Sequence, residues 1–184
     1  MRLRLWFFAI GFLAGSGLAQ ETQIAIIDRQ VAAIDSIPRH RDANYRVLCP
    51  KDKDSTGPTW ITDTIDYRCD DTWYHLVWDS SGNLVFFAEV QAYSDESLQF
   101  SHYFRPDGSI SKFQYYLGTF ASECTEILRY TRDYYYSGNG ELIYQACSFT
   151  DRDHKPIDTT GCNIVDWEYH RYATVKELKT ALGL

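Results

Sequence analysis

The sequence predicts an α+β fold, an antiparallel up-and-down β-meander of about seven to eight strands with an N-terminal helix and a short C-terminal helix. One phrase occurs three times, at 78–84, 104–110 and 136–142. Each copy has an aromatic residue four positions before a glycine and Leu or Ile two positions after it. A polar-Gly pair between apolar runs indicates a hairpin with a type I′ turn, which needs positive φ at both turn residues. The high aromatic content, 16%, also favours strands.

Residues 1–19 have the parts of a secretory signal peptide: a basic start, a short apolar run at 5–13, and small residues that end at Ala19. The apolar run is shorter than the roughly 20 residues that a membrane-spanning helix needs. We therefore predict cleavage after Ala19. The remaining residues, 20–184, form one exported domain, periplasmic or extracellular, with no transmembrane segment.

Residues 22–37 are predicted to form the N-terminal helix. Apolar residues recur there at i, i+3, i+7 and i+10, which makes a single stripe along a helix. The stripe consists of Ile24, Ile27, Val31 and Ile34. A stripe this regular indicates a face that packs against the core, and Pro38 marks the end of the helix.

The predicted strands lie between the turn signals. We place them near 60–67, 73–79, 84–93, 97–105, 110–118, 125–136, 141–149 and 163–172. The connections are too short for βαβ crossovers, so neighbouring strands should run antiparallel. The segment 151–157 is a fourth, degraded turn, in which His154 stands where glycine is expected.

A short C-terminal helix is predicted to begin at Thr174. Glu177 follows three residues later, which is the capping-box pattern, and Gly183 suits the C-cap. The side that faces the core is expected to carry Val175, Leu178 and Leu182.

The charge of the chain limits its partners. The formal net charge is −7 at pH 7, and loss of residues 1–19, which contain Arg2 and Arg4 and no acid, takes it from −7 to −9. An acidic chain with scattered Lys and Arg argues against nucleic acid or an anionic membrane as the partner. We expect an envelope ligand or an envelope protein of unknown identity instead.

The aromatic-x-x-(Ser/Asp/Asn)-Gly-x-(Leu/Ile) phrase resembles the hairpin repeat of exported bacterial β-meander proteins, including those called MORN-like. The resemblance covers about half of the chain. It implies a style of fold, and it assigns no functional residue.

Export favours disulfides, and an odd number of cysteines leaves one thiol unpaired. The five cysteines are Cys49, Cys69, Cys124, Cys147 and Cys162. We predict the bridges Cys49–Cys69 and Cys147–Cys162, with Cys124 free. The expected register of the third hairpin sets Cys147 opposite Arg132, roughly 26 Å along the strand from Cys124. If the final strand docks elsewhere, Cys124 and Cys162 meet instead.

One acidic stretch has the spacing of an EF-hand calcium loop. Its candidate ligands are Asp52, Asp54, Thr56 and Asp63. Thr59 stands at the eighth position, where an aliphatic residue is usual, and Pro50 interrupts the helix that should lead into the loop. We therefore interpret the stretch as a solvated loop and predict no metal and no cofactor.

Two histidines are a second metal candidate. A turn at 81–82 pairs His75 with Ala88, and a tight turn near 94–95 brings His102 opposite 87–89. In one such register both imidazoles flank Ala88 on one face, roughly 9.5 Å apart between backbones. No third ligand is evident, so we interpret them as partly exposed sheet residues.

No nucleophile, zinc-protease or phosphate-binding motif occurs in the sequence. Carboxylates for glycoside hydrolysis are candidates by composition alone, because spacing along a strand does not fix a catalytic pair. They are Glu89, Glu123, Glu126 and Glu168. The tyrosines at 115–116 and 134–136 place rings on both faces of the sheet, where they either pack in the core or bind a partner.

We therefore predict an exported, non-catalytic domain that binds a small apolar ligand, a glycan or an envelope protein through an aromatic-rich sheet. The alternative is an acidic envelope hydrolase directed at glycans. An apolar concavity favours binding, whereas two convergent carboxylates favour hydrolysis.

Overall fold

The computed structural model describes residues 10–37, 44–49, 59–61, 71–120, 122, 124–160, 162, 164 and 167–184. The helices and strands are α1 (Ile10–Asp35), β1 (Tyr45–Cys49), β2 (Thr59–Ile61), β3 (Thr72–Trp78), β4 (Leu84–Ala92), β5 (Glu96–Phe104), β6 (Ile110–Thr119), β7 (Leu128–Tyr136), β8 (Leu142–Thr150) and α2 (Val175–Leu182).

All eight strands belong to one antiparallel sheet, in the order β2-β1-β3-β4-β5-β6-β7-β8. From β3 to β8 each strand pairs with the next one in the chain, so the predicted α+β fold and its up-and-down meander are confirmed. The first strand, β1, was not predicted. It joins the meander beside β3, through pairs such as Val47 with His75.

Four tight turns share one geometry, and it differs from the predicted type I′. In the first turn the Gly82 N–H donates to the Asp79 carbonyl at 3.0 Å, and the Asp79 N–H donates to the Asn83 carbonyl at 2.9 Å. Ser81 is not at positive φ, whereas Gly82 is at φ 82°. This is a type I turn followed by a G1 bulge, which needs only one residue in the left-handed region. The turn therefore spans five residues, whereas a type I′ turn spans four.

One face of the sheet, here called the α1 face, is crossed by α1 along a single row of residues. The pairings make this row continuous across the sheet: Val77, Phe86, Tyr103, Lys112, Tyr135 and Tyr144. The Tyr103 hydroxyl donates to Asp35 at 3.2 Å, and the Tyr135 hydroxyl donates to Asp28 at 2.9 Å. Ile27, from the predicted stripe, is buried. The helix is thus held by an apolar stripe and by two tyrosine–carboxylate bonds.

The opposite face, here called the α2 face, holds the larger core. Its buried rings include Phe87, Phe100, Phe113 and Tyr115. The predicted last strand is wrong in the described residues 164 and 167–172, which cross this face instead of extending the sheet. The reason is the aromatic side chain of Tyr169, which stacks on Phe113 at 5.0 Å and on Phe100 at 5.6 Å.

The C-terminal helix α2 completes the α2 face. The Thr174 side chain accepts the Glu177 N–H, and Gly183 ends the helix in the left-handed region at φ 70°. Leu178, a residue of this helix, is fully buried. The Val175 N–H donates to the Gly108 carbonyl at 2.9 Å. The predicted caps and apolar side of this helix are therefore confirmed.

The predicted Cys147–Cys162 bridge is wrong. Cys124 and Cys162 form a disulfide with Cα atoms 5.6 Å apart, and Cys147 is an exposed free thiol. The predicted register is correct, since Cys147 does face Arg132. Because the C-terminal segment crosses the sheet rather than joining its edge, Cys162 meets the β6–β7 connection. Cys49 is disulfide-bonded, and Cys69, its predicted partner, lies outside the described residues.

Candidate functional site

The tyrosines that were candidates for a binding face are mostly core residues. Tyr115 is fully buried, and Tyr134, Tyr135 and Tyr136 expose between 5% and 7% of their surface. Burial and the bond to Asp28 raise the pKa of Tyr135. These rings hold the helices and the C-terminal segment on the sheet, so they leave little surface for a ligand.

Large exposed rings gather instead at one end of the sheet, where β4 turns into β5 and β6 leads to β7. Tyr93 is 43% exposed, Phe120 is 67% exposed and Trp167 is 36% exposed. We call Tyr93, Phe120 and Trp167 the aromatic end.

Backbone hydrogen bonds position two of the rings, and a ring stack positions the third. The Tyr93 N–H donates to the Glu96 carbonyl at 2.8 Å, which closes the turn between β4 and β5. The Phe120 N–H donates to the Asp95 carbonyl at 2.9 Å, so Phe120 lies beside the same turn. Trp167 stacks on Tyr93 with ring centroids 5.9 Å apart and planes 14° apart. Tyr93 and Phe120 therefore lie at strand ends, and Trp167 is held against Tyr93 from the C-terminal segment.

A disulfide links the segment that contains Phe120 to the segment that contains Trp167. Cys124 lies in the β6–β7 connection, and Cys162 lies five residues before Trp167. This covalent link limits how far the two rings can separate.

The three stretches of chain that carry these rings are acidic. The stretches 91–98, 117–128 and 158–170 contain no Lys and no Arg. The described acids there are Asp95, Glu96, Glu126, Asp158 and Glu168. The Thr160 hydroxyl and N–H hold the pKa of Asp158 below its usual value. An aromatic surface rimmed by carboxylates accepts hydrogen bonds and repels anions.

The histidine pair does not form a metal site. His75 pairs with Ala88 as predicted, but His102 pairs with Phe87. Because neighbouring residues of a strand point to opposite faces, the two imidazoles lie on opposite sides of the sheet. His102 Nε2 accepts the Tyr172 N–H at 3.2 Å, and burial lowers the pKa of His102 to about 3. No group of three or more possible metal ligands occurs in the described part of the chain.

The remaining carboxylate candidates lie on three different elements. Glu89 lies on β4 and accepts a bond from Gln91 at 2.6 Å, Glu126 lies in the β6–β7 connection, and Glu168 lies in the C-terminal segment. The other candidates lie outside the described residues: Glu123, Asp52, Asp54, Thr56 and Asp63.

The aromatic end was not predicted from the sequence. Its one local signal is Tyr93-Ser94-Asp95-Glu96, where a ring comes directly before an acidic turn. Phe120 and Trp167 join it only through the fold. Comparison of the chain with protein-family models, curated proteins and solved structures finds no match. Neither helix, over the residues that are described, is long and apolar enough to cross a membrane.

Proposed function

We propose that this protein is an exported, non-catalytic binding domain, and that its ligand is an uncharged glycan held at the aromatic end. The observation that carries the proposal is the group of three exposed rings on a rim of carboxylates. Rings stack on the C–H faces of sugars, and carboxylates accept hydrogen bonds from sugar hydroxyls. The Cys124–Cys162 disulfide fits an oxidising compartment outside the cytoplasm.

The size of the aromatic end favours a glycan over a protein. Given their exposed fractions, the three rings present on the order of 300 Å² in all. A stable protein interface buries about 800 Å² on each partner. A small apolar ligand is also disfavoured, because such ligands are mostly enclosed in a concave pocket and these rings lie at the ends of strands.

The charge selects among glycans. The three stretches that carry the rings contain acids and no Lys or Arg, so uronate or phosphate groups on a polysaccharide would meet mainly carboxylates there. Arg129, which pairs with Gly118, follows directly after the second stretch. We therefore expect neutral oligosaccharides to bind better than anionic ones, and the preference should weaken as salt screens the carboxylates.

The test is calorimetric titration with cellohexaose, the fully N-acetylated form of chitohexaose, and oligogalacturonate. We expect at least one neutral hexasaccharide to bind, and Trp167→Ala or Tyr93→Ala to weaken that binding roughly tenfold. Tyr144→Ala is the matched control, because Tyr144 is 42% exposed and lies in the row beneath α1, away from this end. It should leave the affinity unchanged.

Two results would overturn the proposal. One is that neither neutral hexasaccharide binds at millimolar concentration. The other is that Trp167→Ala and Tyr144→Ala bind equally well. Cleavage of a hexasaccharide that is abolished by Glu89→Gln or Glu168→Gln would support the hydrolase instead.

A further inference from the structure

A second surface lies at the opposite end of the sheet, between α1 and the turns that precede β6 and β8. A cleft of 170 Å³ opens there. Its polar lining consists of Gln23, Gln30, Arg105, Tyr136 and Ser137. The cleft shares no residue with the aromatic end.

Arg105 is the only ionisable base that lines this cleft, and it has no ion-pair partner among the described residues. One Nη atom donates to the Ile110 carbonyl, and the other donates to the Tyr136 carbonyl. A guanidinium has five N–H donors, so these bonds and a long contact of 3.5 Å to Ser109 Oγ leave two of them unused. The charge lies at a half-buried position and is offset only in part, by the nearby Asp107 carboxylate.

The nearest acid along the chain favours the charge of Arg105 but forms no ion pair with it among the described contacts. Asp107 is in the same turn, but one of its oxygens accepts the Ser109 N–H at 2.9 Å and the Ser109 hydroxyl at 2.7 Å. Burial lowers the pKa of the Arg105 guanidinium, which measures the cost of holding this charge away from water. An anion in the cleft would offset that cost.

We propose that this cleft binds a small carboxylate through Arg105. Guanidinium groups bind carboxylates with paired, charge-assisted hydrogen bonds. The amides of Gln23 and Gln30 add donors around the same space. The volume is below the 300–1,000 Å³ typical of drug-sized ligands, so the ligand is the size of a single amino acid or sugar acid.

The probe pair is glucuronate and glucuronamide, which differ in charge at one group. In NMR titrations of the full chain we expect glucuronate to shift the Gly138 amide and the Arg105 Nε resonances. Glucuronamide should shift them at least tenfold less at equal concentration. Equal shifts with both probes, or no shift at millimolar glucuronate, would overturn the proposal.

Two variants separate binding from folding. Arg105→Gln removes the charge but also alters two bonds to backbone carbonyls. A loss of the glucuronate shifts in this variant could therefore come from lost binding or from altered folding. Ile26→Trp fills the cleft from an exposed helix position and leaves Arg105 in place. It should abolish the glucuronate shifts, whereas Ala32→Trp, at an exposed position outside the lining, should keep them. Retained shifts in Ile26→Trp would place the anion elsewhere. Trp167→Ala should bind glucuronate normally, because this cleft and the glycan site are independent.

Discussion

One backbone conformation recurs at the fourth residue of each tight turn. In the four tight turns, the residues at positive φ are Gly82, Gly108, Gly140 and His154. A side chain at such φ crowds its own carbonyl, and only glycine escapes that cost. His154 adopts it at φ 62°, and its exposed ring lies 2.8 Å from Arg129 Nη1. The repeated phrase therefore specifies a backbone conformation, and glycine adopts it with the least strain.

Gly140→Ala should lower the free energy of unfolding by about 1 kcal/mol, because Gly140 is at φ 83°. A Cβ added there would meet nothing within 4 Å, so a loss would come from the backbone and not from a clash. Gly138 is the matched control. It lies in the same turn, has equally open space and is not at positive φ. Gly138→Ala should be neutral or slightly stabilising in urea unfolding. If both variants unfold at the same urea concentration, the φ argument fails.

At the scale of single elements, the predictions are closest where the determinants are local. Strand β4 was expected at 84–93 and is Leu84–Ala92, and β6 was expected at 110–118 and is Ile110–Thr119. Turn residues and a capping box decide these bounds within a few residues of sequence. Strand β1 has no such signal, because β2 lies between it and its partner β3 in the chain.

The C-terminal segment shows how packing overrides an extended pattern. Alternating aromatic residues indicate a strand, but the same side chains also suit burial across a face. Tyr169 stacks on core rings and its hydroxyl lies 3.0 Å from that of Tyr134. Crossing the face buries aromatic surface of this segment, including Tyr172, that an edge strand would leave partly in water. Contacts with the whole sheet determine whether the segment adds a strand or packs across the α2 face. The Cys124–Cys162 disulfide follows from the second arrangement.

Cys162→Ser should destabilise the protein, because the native bridge closes a separation of 38 residues. The chain-entropy model gives roughly 3–4 kcal/mol for a loop of that length. Cys147→Ser is the control and should change stability by less than about 0.5 kcal/mol, since that thiol is exposed and free. Urea unfolding without reductant measures both variants. A Cys147–Cys162 peptide in a non-reduced digest of the wild type would contradict this assignment.

At the scale of the whole molecule, the two faces of the sheet have different roles. Aromatic residues of the α2 face form the main core, and a row of the α1 face holds the helix. The exposed rings of the aromatic end lie at one end of the sheet, outside both of these contacts. The sequence could indicate which residues are aromatic, but exposure of Phe120 and Trp167 is a property of the assembled fold. This is why the candidate site was missed while the meander was predicted.

Stability should fall in acid because His102 is buried without charge. The pKa of His102 is lowered from 6.5 to about 3 in the fold, so between these values the unfolded chain binds a proton that the folded chain does not. Its contribution is complete above pH 6.5 and is lost as the pH falls toward 3. The loss is about 1.4 kcal/mol per pH unit, or roughly 2–3 kcal/mol between pH 7.5 and pH 4.5.

Urea unfolding at these two pH values tests this dependence. His102→Gln keeps an acceptor for the Tyr172 N–H and should lose less stability in acid than the wild type does. His170→Gln, a change at an exposed histidine, should lose as much as the wild type. Identical pH dependence in the wild type and in His102→Gln would show that His102 is not the titrating group.

The last prediction concerns the form of the chain after export. We expect mass spectrometry of protein from its own host to find an N-terminus at or near Gln20. The described side-chain bonds between α1 and the sheet include those of Gln20, which donates to the Ile143 carbonyl, and of Asp35. Both residues remain in the chain 20–184. An intact 184-residue chain recovered from the cytosol would contradict export and, with it, the compartment in which the proposed glycan is met.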